Sequence, residues 1–245
     1  GYSQVQGIDY QEVFSPTLRL ETLRLILSLH ASNNWKGRQV DFKTAFLNGQ
    51  LDHVVYMEQP PGFEDPQHPD WVCQLDRSIY GLKQSPRQWN NELHRALLNA
   101  GLSVSKYDPT LYFKLVDNRL IGALTTHVDD LAIVGEPTFV DNLIKSLGAS
   151  FKIGADEELH HFLSLKICRN LPTRHVFLNQ SHYIENLCHR FLDGKHTSVS
   201  TPTDVNFKNL RARTPEEPAS SSPYNQLIGS LLWVSQCTRP DVAFA

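Results

Sequence analysis

Between Leu111 and Val134 the chain alternates apolar runs with turn-forming doublets: Leu111 to Val116, Asp117-Asn118, Leu120 to Val128, Asp129-Asp130, Leu131 to Val134. Runs of that length separated by two such residues fold as antiparallel strands joined by tight hairpins. That commits the centre of the chain to a meander and argues against a doubly wound parallel sheet, whose strands need crossovers between them. Further runs of strand length are Gln39 to Phe42, Val54 to Met57, Trp71 to Leu75, Leu159 to Ile167 and Val176 to Leu178.

Stripes of helical period lie between the strands. Ser15-Pro16 precedes Thr22, Leu25, Ile26 and Leu29. Ser85-Pro86 precedes Trp89, Leu93, Ala96 and Leu97, with Gln88 placed for a capping box and Gly101 for a helix stop. Val140, Leu143, Ile144 and Leu147 form a third stripe, and Ile184, Leu187, Cys188 and Phe191 a fourth. Leu227, Leu231 and Leu232 follow Ser222-Pro223. The expected class is α+β, an antiparallel sheet backed by helices. Residues 1–195 read as the body and 196–223, rich in Ser, Thr and Pro, as a linker or long loop. Residues 224–245 read as the start of a truncated helical segment. The only methionine is Met57, and Arg239 to Ala245 stop inside an apolar run with no helix stop signal, so both ends read as cut from a longer polypeptide.

With 40% hydrophobic residues and a formal net charge of -3, the composition is globular and gives no overall basic surplus of the kind that marks many nucleic-acid-binding domains. Any such function must rest on local sites. No apolar run approaches the ~20 residues that span a bilayer. Cys73, Cys168, Cys188 and Cys237 are far apart and form no CxxC pair, which suits a reducing compartment, the cytoplasm.

Asp129 and Asp130 are crowded at a hairpin tip between apolar flanks. Two carboxylates there are either a solvated turn or hard oxygen ligands for a divalent cation such as Mg²⁺. Asp41, near the end of the run Gln39 to Phe42, can bring a third carboxylate to the same sheet. Three such residues suit a two-metal site for phosphoryl transfer. His160, His161, His182, His189 and His196 follow no familiar zinc-ligand spacing.

Five blocks, in order, carry a resemblance: GlnValAspPheLysThrAlaPheLeuAsnGly (Gln39 to Gly49), ValTyrMetGluGlnProProGlyPhe (Val55 to Phe63), TyrGlyLeuLysGlnSerProArgGlnTrp (Tyr80 to Trp89), HisValAspAsp (His127 to Asp130) and ThrArgProAspValAlaPheAla (Thr238 to Ala245). The chain resembles the reverse transcriptase of copia-type retrotransposons over nearly its whole length. The resemblance implies a right-hand polymerase, with fingers and palm in residues 1–195. It implies an RNA-directed DNA polymerase using Mg²⁺, or Mn²⁺, on dNTPs and an RNA or DNA template-primer. It further implies a place in a Pol polyprotein with integrase and ribonuclease H, in the cytoplasm or in virus-like particles, with no membrane partner.

By position, the resemblance makes Asp41, Asp129 and Asp130 the catalytic, metal-binding aspartates. It makes Phe46 the aromatic side chain that leaves no room for a 2′-OH; otherwise Phe46 reads as a core aromatic. Lys83, Ser85 and Arg87 stand at a helix start suited to phosphate or template, or are an ordinary surface cationic pair and a helix-start serine. The chain departs from the family at His127, where tyrosine is usual, at Phe162-Leu163-Ser164, where the family has PheLeuGly, and at Gly154 to Glu157, where it has LysAspLeuGly. That last change removes a lysine able to donate a proton to pyrophosphate, for which Lys152 is a shifted substitute. These changes leave open a degenerate, inactive remnant; a metal-dependent phosphohydrolase is a remoter reading.

Overall fold

The computed structural model describes residues 1–192, 214 and 223–243. Most of the expected linker 196–223, His196 and the last two residues lie outside the described residues. Packing divides the chain into two compact units, Gly1–His160 with Leu171–His175, and His161–Asn170 with Val176–Ala245. No helix among the described residues is long and apolar enough to cross a membrane.

The first unit holds strands β1 (Lys36–Phe42), β2 (Tyr56–Glu58), β3 (Val72–Gln74), β4 (Ser103–Val104), β5 (Leu111–Val116), β6 (Arg119–His127), β7 (Asp130–Gly135) and β8 (Ile153–Glu158). Six of them form one sheet in the order β4-β5-β6-β7-β1-β8, and each neighbouring pair is antiparallel. β2 and β3 pair separately. The mixed α/β class with antiparallel sheets agrees with the sequence.

Asp117 and Asn118 make the β5–β6 turn as expected, both left-handed, with φ 49 and 60. The next turn is displaced by one residue. His127 pairs with Asp130, so Val128 and Asp129 form the turn and Asp130 is already in β7. The cause lies on the far side of β7, where Asp130 also pairs with Asp41 of β1.

The helices of this unit are α1 (Leu20–Ser32), α2 (Ser85–Asn99) and α3 (Pro137–Ser150). α1 begins four residues beyond Pro16, because the preceding segment is tied to α2: the Ser15 hydroxyl donates to the Pro86 carbonyl at 3.2 Å and Arg87 Nη1 to the Phe14 carbonyl at 3.4 Å. Its buried face is Thr22, Leu23, Ile26, Leu27 and His30, while Leu25 is exposed. In α2 Ser85 is the first helical residue and not the cap, so the capping box with Gln88 does not form. Its stripe Trp89, Leu93 and Leu97 is buried as expected, and Gly101, at φ 78, ends it. Val140, Leu143 and Leu147 of α3 join that stripe, together with Val40, Phe42, Leu131 and Ile133, in one core. Full burial of a leucine of this kind contributes about 1.5 to 3 kcal/mol.

The second unit contains β9 (His161–Phe162), β10 (Leu165–Asn170), all but the first residue of β11 (His175–Asn179), α4 (Ser181–Leu192) and α5 (Tyr224–Cys237). The strand expected over Leu159 to Ile167 is broken by a turn at Leu163-Ser164, with Phe162 opposite Leu165. α4 falls where its stripe predicts. In α5 the expected stripe is misplaced: Leu231 and Leu232 are exposed, and Val234 and Cys237 are buried.

Candidate active site

The period of two in a strand decides where the acidic residues stand. Val40 and Phe42 of β1 enter the core, as do Leu131 and Ile133 of β7. The alternate residues Gln39, Asp41 and Asp130 therefore lie on the opposite face of the sheet. The register sets Asp41 directly across from Asp130. Asp129, in the adjoining turn, accepts the Phe42 N–H on its backbone carbonyl at 3.3 Å, which ties the turn to the end of β1.

The carboxylates feel one another. Burial raises the pKa of Asp130 above the usual aspartate value, and the charges of Asp129 and Asp41 raise it further, opposed by a hydrogen bond from Gln39 and by the His127 ring. Burial, then the charge of Asp129, raises Asp41 in the same way, with Lys43 acting against them. Like charges held this close cannot all ionise without cost.

Carboxylate oxygens on strand ends, with a repulsion that a dication would relieve, are a donor set that fits Mg²⁺ or Mn²⁺. Among the described residues no three His, Cys, Asp or Glu side chains form a ready-made metal cage. Mg²⁺ in particular keeps several waters and takes only one or two carboxylates together with substrate phosphates.

On its other side β1 pairs with β8, with Asp41 opposite Ala155. A Cβ on neighbouring Gly154 would stand 2.5 Å from Asp41 Oδ2 and 3.0 Å from Lys43 Cγ. Glycine at that position therefore leaves the Asp41 carboxylate its room.

Phe46 lies in the short 3-10 turn Ala45–Asn48 that follows β1. Its ring is half-buried and packs against Tyr80, with centroids 4.8 Å apart at 57°, and its carbonyl accepts the Ser78 hydroxyl and the Gly49 N–H. Ser85 is buried and its hydroxyl donates to the Ile79 carbonyl at 2.6 Å, a structural contact at the helix start. Lys83 Nζ donates to the Gln4 carbonyl at 3.0 Å and lies 5.4 Å from the centroid of the Tyr10 ring. Like Arg87, it is engaged by the N-terminal segment.

The structure thus brings the three aspartates onto one sheet region. It adds Gln39, Lys43, Gly154 and Tyr80, which the sequence reading did not single out for the site. Only the two-residue spacing from Asp41 hinted at Gln39 and Lys43.

Residues 1–205 match the family model described as reverse transcriptase (RNA-dependent DNA polymerase). Over its whole length the chain is 38% identical to the Retrovirus-related Pol polyprotein from transposon TNT 1-94 of Nicotiana tabacum and 37% identical to that from transposon RE1 of Arabidopsis thaliana. It spans 19% and 16% of those two proteins. A transposon Ty5-1 protein of Saccharomyces cerevisiae is 29% identical over 84% of this chain and 66% of its own length. The order of the motif blocks, the antiparallel sheet carrying the paired aspartates and these matches agree: the chain belongs to the reverse transcriptase (RNA-dependent DNA polymerase) family of retrotransposon Pol polyproteins.

Proposed function

We propose that this chain is the catalytic core of a copia-type RNA-directed DNA polymerase, which joins the α-phosphate of a dNTP to a primer 3′-OH on an RNA or DNA template. The observation that carries the reading is the register that sets Asp41 against Asp130 with Asp129 in the adjoining turn. Asp41, Asp129 and Asp130 would hold divalent cations, Mg²⁺ or Mn²⁺, which when bound would supply charge neutralisation for phosphoryl transfer.

The chain's own residues do the positioning. β1 and β7 fix the spacing of the carboxylates, the Gln39 amide orients Asp130, and Gly154 keeps the space that Asp41 occupies. Phe46 walls the sugar and excludes a 2′-OH. Lys83 and Arg87, beside the helix start at Ser85, face template or triphosphate once the N-terminal segment yields them. In this reading residues 1–195 are fingers and palm, 196–223 a connection and 224–245 the start of a further helical segment. Its working context is a Pol polyprotein with integrase and ribonuclease H, in the cytoplasm or a virus-like particle.

Primer extension by the Pol polypeptide that contains this chain is the test, with Mg²⁺ or Mn²⁺ and an Asp129→Asn control. Synthesis by the parent that disappears in the control supports the reading. A folded parent that makes no product with either ion points instead to an inactive remnant.

A further inference from the structure

The turn that presents Asp129 holds its shape against a local preference. Val128 has φ 58, a left-handed conformation that is unusual for a β-branched residue. The other β-branched residue with such a backbone among the described residues is Thr44, at φ 52, which leads from Asp41 to Phe46. Backbone outliers persist only where their surroundings over-determine them, so something must hold Val128.

The structure supplies a specific contact. The Trp89 indole N–H donates to the Val128 carbonyl at 2.7 Å. Trp89 has no exposed surface, and a buried indole N–H needs an acceptor; here the acceptor is the carbonyl directly before Asp129. The donor sits on a firm base. α2 packs Leu93 and Leu97 into the same core, and the Ser85 hydroxyl fixes its start to Ile79. The same ring meets Phe42, the neighbour of Asp41, edge to face at 5.2 Å and 67°, and Phe151 at 5.0 Å. One side chain therefore touches the backbone of the β6–β7 turn and the side chain beside Asp41.

We infer that Trp89 is a positioning residue of the carboxylate site: its N–H keeps Val128 left-handed and so holds Asp129 where it can share a divalent cation with Asp41 and Asp130. The inference rests on the reading of those aspartates as metal ligands and adds the group that aligns them. Trp89 touches no substrate. Its effect passes through the turn backbone, so loss of the indole N–H should relax Val128 and swing Asp129 away while the core stays filled.

The test is Mn²⁺ binding by residues 1–245, followed by electron paramagnetic resonance, with thermal melting to confirm folding. Trp89→Phe should weaken Mn²⁺ binding by about tenfold, the usual effect of removing a group that orients a ligand. Val140→Ala, a cavity in α3 within the same core, should lower the melting temperature and leave Mn²⁺ affinity unchanged. Adding Val128→Gly to Trp89→Phe should recover most of the affinity, because glycine adopts this φ without strain. Should Trp89→Phe not fold, β-(benzothiophen-3-yl)alanine at position 89 keeps the ring shape and removes only the N–H. A folded variant without that N–H that binds Mn²⁺ as tightly as the parent overturns the inference and leaves the metal-ligand reading standing. A parent that binds no Mn²⁺ removes both.

Discussion

Asp130 shows what crowding carboxylates on one sheet region costs the fold. Its pKa is raised by burial and by Asp129 and Asp41, so folding favours its protonated form. Below the unfolded-state value, near 3.9, the acid is neutral in both states and the site costs nothing. As pH rises through the folded value, the carboxylate ionises against its neighbours and that share of stability is lost. In chelator at pH 7, Asp130→Asn should therefore melt higher than the parent. The gap should close towards pH 3. Added Mg²⁺ should raise the melting temperature of the parent and not of the variant. A variant that melts at or below the parent at pH 7 in chelator would remove the electrostatic account. At Phe46 the proposed effect is steric: Phe46→Ala or Phe46→Val in the extension-competent polypeptide should admit ribonucleotides. If discrimination is unchanged, the ring serves only the core with Tyr80.

Among the elements, two hairpins pose one problem with different residues. The β5–β6 turn places Asp117 and Asn118 left-handed, and the β9–β10 turn does the same to Leu163 and Ser164, at φ 52 and 64. Two-residue turns with both residues left-handed favour Asn-Gly and Asp-Gly; a residue with a Cβ pays roughly 1 to 2 kcal/mol there. Ser164→Gly should thus stabilise the second unit by about 1 kcal/mol, read by denaturant melting of that unit. Asn118→Gly should change little. An unchanged or lower midpoint for Ser164→Gly would show that Ser164 makes compensating contacts. The same contrast explains what the sequence disclosed. The meander was legible because its turn residues and apolar runs agree. β8 was not, because Ile153–Glu158 is an edge strand whose later residues are exposed and polar. The late start of α1 was not legible because it follows from long-range contacts, which tie Phe14 and Ser15 to α2. Asp41, Asp129 and Asp130 were named from their motifs. Gly154 and Trp89 acquire their roles only through pairing and packing across the sheet, which no local window contains.

For the whole molecule, the order of the sheet matters more than the number of its strands. β1 lies between β7 and β8, so both of its edges are covered by strands that follow it far along the chain. A chain ended after Lys152 keeps the Asp41–Asp130 register and lacks β8, leaving the backbone of Arg38 to Phe42 open along one side. Unpaired strand edges of that kind recruit other chains. We expect that product to sediment as aggregates while residues 1–160, which retain β8 and omit β9 and β10, stay dispersed; equal behaviour of the two would show that β8 is dispensable as a cover. The same arrangement governs events on the ribosome. β1 is synthesised early and must wait, unpaired, until β7 and then β8 emerge, a long-range closure of the kind that slows folding. In a nascent chain Asp41 and Asp130 therefore meet only once the meander is complete, and the pairing of β1 with β7 is also the step that assembles the proposed cation site.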